Sequence, residues 1–168
     1  VRATAEALGG STHAFTTHDE TVFEAVVAAR YAPAMVTALG RALLAPSLDA
    51  TFIADTKRQV GAEVQAALRD PTRAWLNLWA HNAFGDNPYG RSIEGDPADV
   101  DRLGADKIAR FLAEWYRPAH VTVVIVGDFS PDAILPALDA SWSGTDEPRA
   151  RPENPPRVIA GARVARHS

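Results

Sequence analysis

The chain has 168 residues, 46% of them hydrophobic, and a formal net charge of −4 at pH 7. This length is enough for one sizeable core, and the negative charge gives no general case for nucleic acid or an anionic membrane as a partner. The chain contains no cysteine, which excludes disulfides, thiolate zinc sites and a cysteine nucleophile.

The N-terminal sequence predicts neither a membrane span nor a targeting segment. No apolar run in the chain approaches the length of a membrane span, and the first residues, Val-Arg-Ala-Thr-Ala-Glu, are not a signal peptide. They have the composition of the middle of a helix, which predicts that the chain is a fragment, a processed product or a cut piece. The cellular compartment stays open.

The first predicted elements are a helical tail, a strand, a tight polar turn and a second strand. The tail covers residues 3–8 and ends at the pair Gly9-Gly10, because glycine commonly follows the last helical residue. A strand is predicted over residues 12–17. Residues 21–30 are rich in β-branched and aromatic side chains with rough alternation, which indicates the second strand.

A block of helices follows, and two of its starts carry the same signal. Asp70-Pro71 and Asp96-Pro97 each place an N-cap residue before a proline at the first helical position. Apolar spacing and chain breakers predict helices over residues 33–44, 50–68, 71–84, a short stretch from 97, and 105–115.

The C-terminal part begins with the strongest strand pattern of the chain, Val-Thr-Val-Val-Ile-Val at residues 121–126. Gly127-Asp128 ends it, and a further helix starts at Ser130-Pro131. Residues 144–157 are rich in Pro and Arg and begin with Gly144, which predicts a linker.

Strands on both sides of a helical block indicate an α+β fold. We predict an antiparallel sheet that contains residues 12–17, 21–30 and 120–127. The helices of residues 33–115 are expected to pack on one face of that sheet.

Residues 9–23 are the most informative stretch, and they begin with Gly-Gly-Ser-Thr-His-Ala-Phe-Thr. They resemble the Gly-Gly-x-x-Asn-Ala-x-Thr signature of the pitrilysin/insulinase family of zinc peptidases, which includes the mitochondrial processing peptidase. Further pieces follow in the order and spacing of that family: Asp70-Pro71, Asn-Pro-Tyr-Gly-Arg at 87–91, Phe111 with Tyr116-Arg117-Pro118, and Val-Val-Ile-Val-Gly-Asp at 123–128. Together the pieces cover residues 1–142.

The family's zinc motif, His-x-x-Glu-His, lies upstream of this signature, so the resemblance implies a protease domain without its catalytic helix. The predicted domain covers residues 1–143 and is truncated at its N-terminus, while residues 144–168 are a linker and the start of a following segment. Because upstream strands would be missing, we expect an exposed sheet edge or face and an isolated chain that associates or is marginally stable.

Glu63 is the candidate metal ligand. Its neighbours three residues before and four after are apolar, so on a helix its carboxylate borders the apolar stripe and needs a partner or a metal. The resemblance implies that Glu63 is the third zinc ligand, counted from the following Asp-Pro pair; an alignment on Val60 would put Val64 there instead. The family commonly has a supporting Glu one helical repeat earlier, where this chain has Thr56.

The resemblance also implies a substrate-binding role for His13, Ala14 and Phe15. In the family this strand is an exposed edge whose backbone hydrogen-bonds extended substrate, which is strand addition. Phe15 would line the pocket for the residue after the cleaved bond, and the alternative is an ordinary core position. His13 and His120 each replace an Asn that is common in the family, and both have the alternative of being polar surface residues.

The remaining residues do not form another recognisable site. A helical His pair that binds a metal needs a spacing of four, whereas His13 and His18 are five apart on a strand and a turn. We expect the turn at residues 87–91 to pack rather than to contact substrate. Because no G-x-S-x-G elbow and no phosphate-binding loop is present, a serine hydrolase or nucleotide enzyme is not expected.

These observations favour part of a zinc metalloendopeptidase domain that binds extended peptides by strand addition and hydrolyses them. Zinc is expected in the intact protein and none in this chain, which contains no catalytic residue of its own and should be inactive alone. The expected partners are a peptide or unfolded protein substrate and a second homologous domain or subunit.

Two other hypotheses stay open. The first is a non-catalytic homologous domain, or the inactive partner of a two-subunit peptidase, that binds peptide and shapes a chamber. Thr56 and His13, which differ from the residues common in the family, slightly favour this hypothesis. The second is a plain peptide-binding module that uses the edge strand alone. The sequence upstream of Val1 would discriminate between the peptidase and the non-catalytic domain. A His-x-x-Glu-His helix there favours the peptidase, and its absence favours the non-catalytic domain.

Overall fold

The computed structural model describes residues 1–144. Within that range the chain forms seven α-helices and one two-stranded antiparallel sheet, so the predicted α+β class is confirmed. The helices are α1 (Arg2–Ala7), α2 (Ala32–Leu44), α3 (Ala50–Arg69), α4 (Pro71–Phe84), α5 (Pro97–Arg102), α6 (Ala105–Trp115) and α7 (Pro131–Trp142). The strands are β1 (Ser11–Thr16) and β2 (Thr21–Val26). No helix in this range is long and apolar enough to cross a membrane.

The predicted domain boundary after residue 143 remains a prediction. Only Gly144 of the predicted linker and following segment belongs to the described residues. Residues 145–168 lie outside them.

The predicted helices form close to their expected ends because their start signals are local. Asp70 accepts hydrogen bonds from the backbone N–H groups of Thr72 and Arg73, at 2.8 and 3.3 Å, and so caps α4. Asp96 caps α5 in the same way through the amide of Ala98, at 2.8 Å. Such caps involve only residues within one turn, so a sequence pattern is enough to predict them.

The described residues form two compact units. The first contains residues 1–15, 21–48 and 106–144, and the second contains residues 16–20 and 49–105. Each has its own buried apolar side chains, which are Ala5, Met35, Val36 and Ile134 in the first and Val64, Ala67 and Val100 in the second.

In the first unit, α2 packs closely against α7. A Cβ atom placed on Gly40 would lie 2.8 Å from the Cβ atom of Ser141, so a larger side chain does not fit there without a shift. The indole Nε1 of Trp142 donates a hydrogen bond to the backbone carbonyl of Val36, at 3.1 Å. The close backbone approach and this bond together hold α7 against α2.

In the second unit, α3 packs against α4 and α5. Lys57 on α3 donates hydrogen bonds through Nζ to the backbone carbonyls of Asp101 and Leu103, at 2.8 and 2.9 Å. These carbonyls lie at the C-terminal end of α5, where the last carbonyls lack partners within the helix and a cation is favourable. The lysine therefore ties the end of α5 to α3.

The pair Gly9-Gly10 ends α1 as predicted. The amide of Gly9 donates to the carbonyl of Glu6 at 3.0 Å, and the amide of Gly10 donates to the carbonyl of Ala5 at 2.8 Å. This is the hydrogen-bond pattern of a Schellman motif. Gly9 has a φ of +71°, a left-handed conformation that glycine adopts without a steric cost.

Residues 121–126 form no strand with any other part of the described residues 1–144, so the predicted third strand over 120–127 is wrong for the described structure. Within residues 1–144 the sheet consists of β1 and β2, and no backbone hydrogen bond there joins residues 122–126 to a neighbouring segment. Val124 and Val126 are 78% and 91% exposed. Strand propensity describes side chains that suit a sheet, whereas a strand also needs a second backbone to pair with.

The second strand is shorter than predicted. β2 ends at Val26, and Ala29–Tyr31 forms a 3-10 turn where the sequence pattern predicted strand up to residue 30. β2 ends where its pairing with β1 ends, because a strand needs a neighbouring backbone to pair with. Composition alone does not specify that limit.

Candidate functional site

β1 presents its candidate binding residues to solvent. His13, Ala14 and Phe15 are all exposed, and Phe15 is 42% exposed. His13 and Phe15 lie on one face of the strand, as alternate residues do, and their ring centroids are 6.0 Å apart. Phe15 is therefore not a core residue of the described structure, and its place in a substrate pocket remains a proposal.

The turn between β1 and β2 is closed by Thr17 and Glu20. The Thr17 amide donates to the carbonyl of Glu20 at 2.8 Å. The Thr17 hydroxyl oxygen accepts hydrogen bonds from the amides of Asp19 and Glu20, both at 3.2 Å. A turn of this kind sets the loop length, and the loop length sets the register of the two strands.

The turn at residues 87–91 is a packed element in the second unit, as the sequence favoured. The Asn87 side chain accepts a hydrogen bond from the Tyr89 amide at 3.1 Å, and the Tyr89 ring lies 5.9 Å from that of Phe84. A Cβ atom on Gly90 would lie 2.1 Å from the carbonyl oxygen of Gly85. Only glycine fits at position 90 without moving the backbone.

This packed turn also meets the β1–β2 turn. The Tyr89 hydroxyl donates to the Asp19 carboxylate at 2.5 Å, and the His18 ring stacks on the Tyr89 ring with centroids 5.2 Å apart. His18 Nε2 donates to the carbonyl of Arg91 at 3.0 Å. These contacts could not be predicted from the sequence because the partners are 70 to 73 residues apart, and only the polar composition of the turn hinted at them.

Glu63 lies on α3 with an exposed side chain. Its Oε1 accepts a hydrogen bond from Gln59 Nε2, one helical turn earlier, at 3.0 Å. Val64, the position given by the other alignment, is 1% exposed and belongs to the apolar core, and Thr56 is exposed. The carboxylate thus lies beside the buried stripe of α3 and outside it, and its role as a metal ligand remains a proposal.

The described residues do not fit a zinc site by themselves. Zinc in proteins takes three or four protein ligands, and no group of three or more His, Cys, Asp or Glu side chains within residues 1–144 is arranged to hold a metal ion. Glu63 would be a single ligand. A zinc site that includes it needs donors from beyond these residues.

Glu94 is a carboxylate with a shifted pKa in the second unit. Partial burial raises its pKa, but hydrogen bonds from Ser92 and from the backbone, together with the nearby charge of Arg73, lower it, so the net pKa lies below its usual value. The Ser92 hydroxyl is 2.8 Å from Oε2 and Arg73 Nη1 is 2.8 Å from Oε1. Asn77 Nδ2 donates to the Ser92 hydroxyl at 3.3 Å, so the group ties α4 to the loop before α5.

Comparison with known families places this α+β domain among peptidases. The family described as "Insulinase (Peptidase family M16)" matches residues 1–97, more than half of the chain. A second family, described as "Peptidase M16 inactive domain", matches residues 102–166. The chain belongs to the insulinase family, peptidase family M16, and the resemblance found in its sequence is confirmed.

The chain is similar to bacterial and mitochondrial members of the family. An "uncharacterized zinc protease" of Streptomyces coelicolor is 27% identical over 96% of this chain and 35% of that protein. One of Mycobacterium tuberculosis is 26% identical over 93% of this chain and 35% of that protein. The alpha subunit of the mitochondrial-processing peptidase of Solanum tuberosum is 25% identical over 73% of this chain and 24% of that protein. The chain therefore spans 35% of the length of the two bacterial relatives.

Solved structures share the fold at low sequence identity. The crystal structure of a protease from Helicobacter pylori matches with a TM-score of 0.77 at 15% identity, over 93% of this chain and 38% of that chain. A chain of complex III2 from Candida albicans matches with a TM-score of 0.74 at 17% identity, over 91% of this chain and 37% of that chain. At these identities the likeness concerns the fold.

Proposed function

We propose that this chain is part of a zinc metalloendopeptidase domain that binds extended peptides by strand addition along β1 and, in the intact protein, hydrolyses them. The observation that carries the proposal is the exposure of His13, Ala14 and Phe15 on the strand that contains the family signature. An exposed strand offers backbone groups to an extended peptide, and side chains at alternate positions give specificity. The names of the bacterial relatives, which are zinc proteases, support zinc in the intact protein.

In this proposal Glu63 is one zinc ligand and the other ligands come from outside this chain. Its exposed carboxylate on α3 supports this role, because a ligand has to be accessible to donors that belong to another segment. The chain alone is expected to be inactive and to hold zinc weakly, since a single carboxylate does not make a zinc site. A second homologous domain or subunit is the expected partner, as the relative named alpha subunit suggests.

The alternative function is a non-catalytic homologous domain, or an inactive partner subunit, that binds peptide and shapes a chamber. The match of residues 102–166 to a family description that names an inactive domain favours it. The similarity to a relative named as the alpha subunit of a peptidase supports the role of a partner subunit. Both functions keep β1 as the peptide-binding strand and differ in whether Glu63 binds a metal.

The deciding experiment uses the intact protein, including the sequence upstream of Val1. Zinc content after dialysis and hydrolysis of an unstructured peptide are measured for the unsubstituted protein, for Glu63→Gln and for Asp55→Asn. Asp55 is an exposed carboxylate earlier on α3 and serves as the matched control. Loss of zinc and turnover in Glu63→Gln alone supports the peptidase, because a charged ligand is replaced by a poor one.

Two other outcomes would each count against one part of the proposal. Full zinc content and turnover in Glu63→Gln would remove Glu63 from the metal site. An unsubstituted protein that binds peptide but neither retains zinc nor cleaves would establish the non-catalytic alternative.

A further inference from the structure

Three side chains, His18, Asp19 and Tyr89, connect the β1–β2 turn to the loop that follows α4, and we name them the turn clamp. All three belong to the second unit. A hydrogen bond joins Tyr89 to Asp19, a ring stack joins Tyr89 to His18, and His18 also binds the carbonyl of Arg91. Two of these contacts are hydrogen bonds and one is a ring stack, and all three reach from the turn to one short stretch of the loop.

We propose that the turn clamp positions β1 for peptide binding by holding the turn next to it in one conformation. The proposal rests on the proposed function of β1. The clamp residues are positioning residues, since they act through Thr16 and Thr17, which directly follow Phe15 in the chain. They need not contact the peptide.

Such a device is needed because the sheet is small. Within residues 1–144 it has two strands, and an isolated two-stranded hairpin is marginally stable in water. A peptide that adds to a loosely ordered strand must also order that strand, which weakens binding, whereas a strand held in its bound conformation avoids this cost. A turn held in one conformation keeps the register, and the register decides which β1 side chains face outward.

Tyr89 is suited to hold the turn because it is itself fixed. Its amide binds the Asn87 side chain, and its ring packs against Phe84. Its hydroxyl donates to a carboxylate, and such charge-assisted bonds are stronger than bonds between neutral groups. Its ring also carries the His18 stack, an arrangement that aromatic rings favour.

The first test measures amide hydrogen exchange of the full 168-residue chain at Thr17 and along β1. Tyr89→Phe keeps the ring but removes the hydroxyl, and Asp19→Ala removes the acceptor. We expect each to speed exchange about threefold to tenfold, the range that corresponds to the loss of one hydrogen bond. Asp19→Asn, which keeps an acceptor oxygen, should restore most of the protection.

The matched control is Tyr116→Phe, which removes a hydroxyl from a ring that packs against Phe23 and Phe111 in the first unit. It should leave exchange at Thr17 unchanged. In the double variant Asp19→Ala with Tyr89→Phe, exchange should be no faster than in either single variant, because both changes remove the same bond. Unchanged exchange in Tyr89→Phe and in Asp19→Ala would overturn the clamp.

The second test measures peptide hydrolysis by the intact protein, with a long peptide that can lie along β1 and a short one that cannot. Tyr89→Phe should raise KM for the long peptide about threefold to tenfold and leave kcat nearly unchanged, because binding that is uniform in ground and transition states is lost. The short peptide should be affected less, and Asp19→Asn, which keeps an acceptor oxygen, should raise KM for the long peptide less than Tyr89→Phe does. Faster exchange with an unchanged KM for the long peptide would overturn the positioning role.

Failure of the proposed function would give a different experimental result from failure of the turn clamp. An unsubstituted intact protein that neither binds nor cleaves the long peptide would remove the peptide role of β1. The exchange experiment would still decide whether His18, Asp19 and Tyr89 order that strand.

Discussion

Gly10 and Val26 approach each other so closely that a Cβ atom on Gly10 would lie 2.1 Å from the carbonyl oxygen of Val26. Gly10 precedes β1 and Val26 ends β2, so the contact lies at the open end of the hairpin. Gly9, its neighbour, has a positive φ and no atom within 4 Å of such a Cβ position. The two glycines of the family signature are therefore present for different physical reasons.

Substitutions at these glycines should have different costs. Gly10→Ala should destabilise by more than about 2 kcal/mol, since the methyl group meets a backbone oxygen that cannot move away independently. Gly9→Asn should cost under about 1 kcal/mol, because Asn tolerates the left-handed conformation better than other residues with a side chain. Urea unfolding followed by circular dichroism measures both, and equal costs would contradict this account.

The bond between Trp142 and Val36 should contribute measurably to the stability of the first unit. Trp142→Phe keeps an aromatic ring but leaves the carbonyl of Val36 without its indole donor, and we expect a loss of about 1 kcal/mol or more in the free energy of unfolding. Trp75→Phe is the control, because Trp75 is 60% exposed and surface changes usually stay within about 0.5 kcal/mol. Equal urea midpoints for the two variants would show that the bond does not stabilise the α2–α7 packing.

Glu94 should make stability depend on pH in the acid range. Its folded-state pKa is lowered, so the unfolded chain binds more protons in that range and stability rises with pH. The contribution is fully present above the ordinary glutamate pKa of about 4.3 and is lost as the pH falls through the lower folded-state pKa. Urea midpoints measured across this range should fall less steeply for Glu94→Gln than for the unsubstituted chain.

The control for this pH dependence is Glu24→Gln, a change of the same kind at an exposed position on β2. It should leave the slope of stability against pH as it is in the unsubstituted chain. A Glu94→Gln profile parallel to that of the unsubstituted chain would refute the role assigned to Ser92 and Arg73.

The segment of residues 121–126, which pairs with no other strand within the described residues 1–144, should make the isolated chain associate. It contains neither a charge nor a proline, and exposed segments of this composition pair with other chains. Val124→Lys should reduce association, measured by light scattering over a range of concentrations, because a lysine on an exposed edge disfavours pairing. Leu135→Lys adds the same charge at an exposed position on α7 and should have less effect; an unsubstituted chain that stays monomeric throughout would contradict this prediction.

Phe15→Ala should change cleavage specificity in the intact protein. Removing the ring takes apolar surface from the wall of the proposed pocket for the residue after the scissile bond. The preference for a large apolar residue there should therefore fall by about tenfold to a hundredfold. Cleavage of a peptide mixture, analysed by mass spectrometry, measures the preference. Phe52→Ala removes an exposed ring from α3 and should leave the preference intact; an equal loss in both variants would argue against a pocket.

Much of the local structure follows from the sequence because its causes are local. The caps at Asp70 and Asp96 and the helix end at Gly9 depend on residues within one turn, and the helices form close to where these signals place them. The family signature in residues 9–16 is a contiguous pattern too. Glu63 was located by a short count from a nearby Asp-Pro pair, and its exposed position on α3 agrees with a helix residue that borders the buried stripe.

Tertiary structure decided which strand pattern becomes a strand and which distant residues meet. Residues 121–126 have the strongest strand composition of the chain and yet remain unpaired within residues 1–144, since pairing depends on a second backbone that composition does not specify. The contact of Asp19 with Tyr89 joins residues 70 positions apart, and no local pattern encodes that distance. Sequence by itself determined the helices, their caps and the family; only the folded chain decided which long-range contacts form, because their energies depend on neighbours that are brought together by folding.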